Sequence, residues 1–146
     1  QSKETSVNID LKDLINQIKE EFDDQNLEIS NIETISIKGR RSALKRSLEN
    51  IIQNGLTYGK RVQVEAQKSK NLAVINIEDD GPGIPDDQYK NVFKPFFRLD
   101  KSRSLNQSGV GLGLAIVEDI INSHGGNIKL GKSKFNGLQV KIFLPF

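Results

Sequence analysis

The sequence predicts an α+β fold, a two-layer α/β sandwich with helices on one face of a mixed, mostly antiparallel sheet. Three observations support this class. Apolar residues recur at helical spacing in three separate segments, short alternating segments lie between them, and two pairs of alternating segments flank hairpin-like turns. Because the chain has 146 residues and no internal repeat, we expect one domain over residues 1–146.

The first two helices are predicted from apolar stripes with clear starting signals. Asp10 is a suitable N-cap, and apolar residues then recur every three or four positions as far as Phe22. The second helix follows Gly39, and its stripe ends near Tyr58. In order, the elements predicted for this part are a strand over 7–9, a helix over 11–24, strands over 27–30 and 34–38, and a helix over 40–58.

Two hairpins are predicted in the rest of the chain, because pairs of alternating segments flank turn-forming residues. The apolar positions of the second strand are taken as Leu72, Val74, Ile75 and Ile77. In order, the elements predicted here are strands over 61–68 and 71–79, a short helix over 86–93, a long mobile loop over 94–110, a helix over 112–124, and strands over 127–130 and 138–144.

The composition excludes several classes of function. Lys and Arg (21) nearly balance Asp and Glu (19), a formal net charge of +2, which disfavours a dedicated nucleic-acid or anionic-membrane binder. The absence of Cys and a single His, His124, exclude thiolate and His-cluster metal sites and disfavour serine and cysteine hydrolases. No apolar run is long enough to cross a bilayer. The start at Gln1 and the lack of Met suggest a segment of a longer protein. Because no apolar run could span a membrane, we expect this segment to be a soluble domain, and we expect it to be monomeric when isolated.

Four short motifs carry the functional information, and the first two lie on the second helix and after the fifth strand. Asn50 and Asn54 project on one side of the helix, where their amide oxygens could bind a cation; two solvated Asn side chains are the alternative. Asp79 ends a strand, where a carboxylate suits an exocyclic amine such as that of adenine, although an ordinary Asp-Gly turn would look the same. The residues of this second motif are Asp79, Gly81, Gly83 and Ile84.

The third and fourth motifs flank the predicted loop. Phe93–Arg98 combines aromatic residues with an arginine. A glycine-rich segment then runs into the third helix, and backbone N–H groups at a helix N-terminus are suited to bind phosphate. The residues assigned to this phosphate site are Gly109, Val110, Gly111, Leu112, Gly113 and Leu114.

Together the motifs resemble the N, G1, F and G2 boxes of the ATP-binding catalytic domain of bacterial sensor histidine kinases, and the opening segment is similar to the osmosensing, porin-regulating branch. The resemblance covers almost the whole chain and implies a Bergerat fold, with ATP bound beneath a flexible lid. It implies that Asn54, helped by Asn50, binds Mg²⁺. It also implies that Asp79 accepts a hydrogen bond from adenine and that Tyr58 contacts the base. The resemblance assigns the phosphates to Arg98 and the glycine-rich segment, and catalysis to Asn50, Asn54 and Arg98.

The resemblance also implies partners. The γ-phosphoryl group would pass to a His on the dimerisation and phosphoacceptor domain of a parent kinase in the inner membrane, with this chain on the cytoplasmic side and a response regulator reached indirectly. Related ATPases such as gyrase carry a water-activating Glu at the position of Asn50. Because Asn is no base at neutral pH, transfer is favoured over hydrolysis. A non-catalytic nucleotide-sensing module and an anti-sigma-factor Ser kinase of the same fold remain alternatives.

Two residues depart from the pattern of this family. Thr57 stands where a Lys or Arg usually lies near the phosphates, and we expect its neutral side chain to weaken nucleotide binding. Gly55 replaces the usual Ala, which should cost the helix about 1 kcal/mol.

One further pattern is expected to be misleading. Residues 126–133 fit the G-x-x-x-x-G-K-[ST] phosphate-binding loop, but that loop follows a strand and precedes a helix, whereas this segment follows a helix and alternates like a strand. We therefore expect Lys132 to be a solvated strand residue. His124, at a helix end, is expected to be structural.

Overall fold

The computed structural model of the chain describes residues 4–95 and 113–146. In chain order the elements of these ranges are β1 Val7–Asp10, α1 Leu11–Phe22, β2 Leu27–Ile32, β3 Ser36–Gly39, α2 Arg41–Tyr58, β4 Val62–Ser69, β5 Leu72–Asp79, α3 Leu114–Ser123, β6 Asn127–Lys132 and β7 Leu138–Pro145. None of the helices in these ranges has the length and apolar character that crossing a bilayer requires.

Five strands form one mixed sheet, in the order β2-β4-β5-β7-β6. β2 runs parallel to β4, and the other three neighbouring pairs are antiparallel. Both hairpins predicted from the sequence are present, β4 with β5 and β6 with β7. β1 and β3 pair separately, with Ile9 opposite Ile37. The prediction of a mixed, mostly antiparallel sheet is therefore confirmed.

One face of the sheet is buried beneath the helices. Val64 of β4, Ile75 of β5 and Ile142 of β7 are each no more than 1% exposed. The apolar stripes of α1, α2 and α3 belong to the same hydrophobic core as these strand residues. This arrangement confirms the predicted two-layer α+β architecture with helices on one face.

Two local predictions are wrong. In β5 the buried residues include Ala73, whereas Leu72 and Val74 are only half-buried, because apolar side chains occupy both faces of this strand and obscure its alternation. The predicted short helix over 86–93 is instead two 3₁₀ turns, Asp86–Gln88 and Asn91–Phe93. Val92 is the one buried residue of these turns, so the segment lacks the apolar face that stabilises a regular helix.

Side-chain hydrogen bonds stabilise the ends of the helices. Asp10 caps α1 as predicted, its carboxylate accepting a hydrogen bond from the Asp13 N–H (3.1 Å). His124, just after α3, uses both ring nitrogens: Nε2 accepts from the Arg40 N–H (3.0 Å), and Nδ1 lies 2.7 Å from the Ile120 carbonyl oxygen. His124 therefore joins the end of α3 to the start of α2, and its predicted structural role is confirmed.

Candidate functional site

The candidate site lies along α2, which carries both asparagines. Asn54 Nδ2 donates a hydrogen bond to Asn50 Oδ1 (3.3 Å), so the two carboxamides lie side by side as their spacing predicts. Both residues are half-buried.

Asn50 also approaches the start of α3. A Cβ atom on Gly113 would lie 2.7 Å from Asn50 Nδ2, and Gly113 has a φ of +71°. The left-handed backbone favours glycine at this position, and a side chain there would displace the Asn50 amide. Leu114, the next residue, is 2% exposed, so its side chain belongs to the core and only its backbone can serve a phosphate site. Asn50 of α2 and the N-terminus of α3 therefore lie next to each other.

Asp79 ends β5 and is held by two backbone donors. Its Oδ1 accepts hydrogen bonds from the N–H groups of Gly81 (2.9 Å) and Leu138 (3.1 Å). Its Oδ2 lies on the α2 side, 3.4 Å from where a Cβ atom of Gly55 would be. Burial raises the pKa of the Asp79 carboxyl above its ordinary value, the two backbone donors oppose that rise, and the charge of Asp80 adds to it. The result is a carboxylate with one oxygen fixed and the other directed toward α2.

The loop after β5 is shaped by close backbone contacts. A Cβ atom on Gly81 would lie 3.1 Å from the carbonyl oxygen of Tyr58, the last residue of α2. Gly83 has a φ of +73°, and a Cβ atom there would lie 3.4 Å from the Gly137 carbonyl oxygen. Ile84 is partly buried against the core. Tyr58 and Gly81 therefore lie close together at the end of β5, and Gly83 lies next to Gly137, between β6 and β7. The roles of Tyr58, Gly81, Gly83 and Ile84 in nucleotide binding stay predictions.

Sequence reasoning missed the roles of the two acidic neighbours of Asp79. Asp80 Oδ1 accepts hydrogen bonds from the N–H groups of Lys60 (2.6 Å) and Arg61 (2.9 Å), which joins the α2–β4 connection to the end of β5. Glu78 is 4% exposed and contacts the β6–β7 turn. The sequence showed three consecutive acids, but not which carboxylate faces which segment.

Two other residues of α2 are paired with side chains other than the asparagines. Thr57 is exposed, and its Oγ1 accepts a hydrogen bond from Gln53 Nε2 (3.1 Å). Glu49 pairs with Lys45 (3.4 Å between Oε2 and Nζ), and Lys45 also contacts Glu21 of α1. Glu49 is therefore directed toward α1 and not toward the start of α3, as expected from its place on the helix.

Several predicted site residues lie outside the described part of the chain, namely Arg98, Gly109, Val110, Gly111 and Leu112. The same holds for the predicted mobile loop over 94–110 beyond its first two residues. The segment that fits the phosphate-loop pattern is a strand and not a loop before a helix. Asn127–Lys132 is strand β6, and Lys132 is exposed on it, as predicted.

The amide oxygens of Asn50 and Asn54 suit Mg²⁺ only together with a phosphate ligand. Within residues 4–95 and 113–146, no group of three or more His, Cys, Asp or Glu side chains is placed to hold a metal ion. Asn50 and Asn54 offer amide oxygens, which are hard ligands, and Mg²⁺ commonly combines a few protein oxygens with substrate phosphates and water. The asparagines therefore fit a cation that arrives with a nucleotide.

Comparison with known proteins agrees with this geometry. The family described as "Histidine kinase-, DNA gyrase B-, and HSP90-like ATPase" matches residues 39–146. The solved histidine kinase domain of the Escherichia coli osmosensor EnvZ is 33% identical, with a TM-score of 0.71 over 99% of this chain and 91% of that domain. The chain belongs to the histidine kinase-like ATPase family.

Other members of this family show the same likeness. CpxA, a sensor histidine kinase of E. coli K12, is 40% identical over 108 residues, which are 73% of this chain and 24% of CpxA. The mycobacterial sensor histidine kinase MprB is 28% identical, with a TM-score of 0.81 over 97% of both chains. The resemblance to sensor histidine kinases and the Bergerat fold are thus confirmed. The chain spans about a quarter of the length of the curated relatives it matches.

Proposed function

We propose that residues 1–146 form the catalytic domain of a two-component sensor kinase, which binds Mg-ATP and transfers its γ-phosphoryl group to a His on the parent's dimerisation domain. The observation that carries this proposal is the Asp79 carboxylate, with Oδ1 held by two backbone N–H groups and Oδ2 directed toward Gly55 of α2. On α2, Gly55 lies five residues from Asn50, which is about 7.5 Å along the helix axis. Asn50 in turn lies beside the start of α3. That separation suits a ligand with a base at one end and phosphates at the other.

Each group of residues has a distinct task in this proposal. The adenine amine donates a hydrogen bond to Asp79 Oδ2, and Tyr58 contacts the base. Asn54 and Asn50 hold Mg²⁺, which when bound would neutralise phosphate charge. Arg98 and the backbone of residues 109–114 hold the phosphates. Phosphoryl transfer requires chiefly positioning and charge neutralisation, so this set needs no nucleophile of its own.

Transfer is favoured over hydrolysis by the groups beside α3. Asn50, whose amide has no basic nitrogen at neutral pH, faces Gly113. The nearest acid on the helix, Glu49, is paired with Lys45. Among the described residues of α2, no carboxylate is therefore placed beside the α3 N-terminus to activate water.

A second candidate is a non-catalytic nucleotide-sensing module. Thr57 favours it, because this exposed residue bonds to Gln53 and supplies no cation to the phosphates. A Ser kinase of the same fold would differ only in its acceptor. We further propose that the parent kinase is a membrane protein with this domain on its cytoplasmic side, and that a response regulator receives the phosphoryl group from its His.

The test is phosphoryl transfer from labelled ATP to the dimerisation domain of the parent protein. An acid-labile, base-stable label on a His of that domain is the expected result. ATP binding without any transfer would favour the sensing module. An acid-stable label on a Ser of an added protein acceptor would favour the Ser kinase.

A further inference from the structure

Glu78 is a buried carboxylate on the sheet face opposite the helices. It is 4% exposed, and it lies next to Ile77, which points into the core. A buried charge is costly unless it is well bonded. Glu78 Oε2 accepts a hydrogen bond from Asn76 Nδ2 (2.9 Å), and Oε1 accepts one from the Lys134 backbone N–H (2.9 Å). The Lys134 ammonium is farther, with Nζ 4.0 Å from Oε2.

The partner of Glu78 belongs to the β6–β7 turn, residues 133–137. Three N–H groups of this turn bond within it: Ser133 to the Gly137 carbonyl, Phe135 to Ser133 Oγ and Asn136 to the Ser133 carbonyl, each at 2.9 Å. The Lys134 N–H instead donates outside the turn, to Glu78. Glu78 therefore tethers the turn itself to β5, in addition to the pairing of β5 with β7, which extends to Glu78 opposite Gln139.

The same turn touches Asp79. The N–H of Leu138, which begins β7 directly after the turn, donates to Asp79 Oδ1 (3.1 Å). Gly137 lies so close that a Cβ atom there would collide with the Asp79 backbone oxygen and with Oδ1. The turn and the Leu138 N–H that follows it thus help to hold the Asp79 carboxylate, together with the Gly81 N–H.

We propose that Glu78 is a positioning residue for base recognition: by tethering the β6–β7 turn to β5, it holds the Leu138 N–H on Asp79 Oδ1 and directs Asp79 Oδ2 toward the exocyclic amine of the base. This inference rests on the proposed function. Glu78 itself does not contact the ligand. Its effect is confined to ligands that carry the amine.

The turn has a second anchor, so loss of Glu78 should loosen it without unfolding the protein. The Arg61 guanidinium lies over the Phe135 ring, 4.0 Å from its centroid. Arg61 is itself paired with Glu28 of β2. This contact holds the turn against the residue that precedes β4 but does not involve Asp79.

The experiment compares the affinities of the whole chain for ATP and for purine riboside triphosphate, which lacks the 6-amino group, by calorimetry. In Glu78→Ala the preference for ATP should fall about tenfold, because ATP affinity drops and analogue affinity does not. Glu78→Gln should retain most of the preference, since its amide oxygen still accepts from the Lys134 N–H. Glu78→Met, which keeps the side-chain volume without an acceptor, should behave like Glu78→Ala and serves if the Ala variant is unfolded.

Glu33→Ala is the matched control. Glu33 also accepts a hydrogen bond from a backbone N–H, that of Lys68 (2.6 Å). Lys68 lies near one end of β4, and the Val62–Asp79 pair lies at the other end. This variant should keep the full preference for ATP. If folded Glu78→Ala or Glu78→Met loses affinity equally for both ligands, or keeps the wild-type preference, Glu78 is merely structural and the inference is overturned. If the wild type does not bind ATP, or Asp79→Asn keeps the preference, the proposed base recognition fails and this inference falls with it.

Discussion

Replacing Gly55 by Ala tests whether α2 lies too close to β4 to accept any side chain at this position. Gly55 is buried within α2, and a Cβ atom there would lie 2.5 Å from Val62 Cγ2 and 3.2 Å from Asp79 Cβ. Carbon atoms in good contact are about 3.5–4.0 Å apart. The helix and the strand would therefore have to separate, or Val62 would have to change its rotamer.

Two effects of this substitution oppose each other. Ala should stabilise the helix by about 1 kcal/mol relative to Gly. Overpacking a well-packed core costs about 1–3 kcal/mol. Val62 is 0% exposed and β-branched, so it has little freedom to move aside, and the cost should lie in the upper part of that range. We expect Gly55→Ala to lower the free energy of unfolding by about 1–2 kcal/mol.

The assay is urea unfolding of Gly55→Ala, Val62→Ala and the double variant, followed by circular dichroism. Val62→Ala removes the clashing methyl group, so the double variant should be more stable than the sum of the single changes predicts, by about 1–2 kcal/mol. Because Asp79 is the second neighbour, Gly55→Ala should also weaken ATP binding. A Gly55→Ala variant that is more stable than the wild type, with no coupling to Val62, would refute the close approach.

Three further predictions concern the site itself. Asp79→Asn should lower ATP affinity about tenfold by calorimetry. The pKa of the Asp79 carboxyl is raised in the folded state, so its ionisation lowers the stability of the wild type as the pH rises through that pKa. In urea unfolding the Asn variant should therefore gain stability over the wild type between acid and neutral pH. A stability difference that does not change with pH would contradict this sign. Asn54→Ala should remove most of the Mg²⁺ dependence of ATP binding, whereas exposed Gln53→Ala should not; equal behaviour would exclude Asn54 as a ligand. Gly113→Ala should weaken ATP binding about tenfold or more, because a φ of +71° is strained for any residue but glycine, whereas Lys132→Ala should bind normally. The reverse result would favour the phosphate-loop interpretation.

Local signals in the sequence were sufficient for most elements and for the family. The apolar stripes of the helices, the Asp10 cap and the Asn136-Gly137 turn are properties of neighbouring residues, and each appears in the structure as predicted. The positions of Asn54 and Asp79 within their motifs likewise depend only on spacing along the chain. For this reason the order and spacing of the motifs were enough to indicate the family.

Contacts between distant segments were decided by the tertiary structure alone. Alternation shows which residues of a strand share a face, but it does not show which strand lies beside it, so the parallel pairing of β2 with β4 was not predicted. The three acids at the end of β5 look alike in the sequence. They acquire different partners, Lys134 for Glu78, Leu138 for Asp79 and Lys60 for Asp80, only when the sheet brings those backbone groups to the same edge. One of the two donors that hold the Asp79 carboxylate, the Leu138 N–H, therefore comes from a strand that lies more than fifty residues away in the sequence.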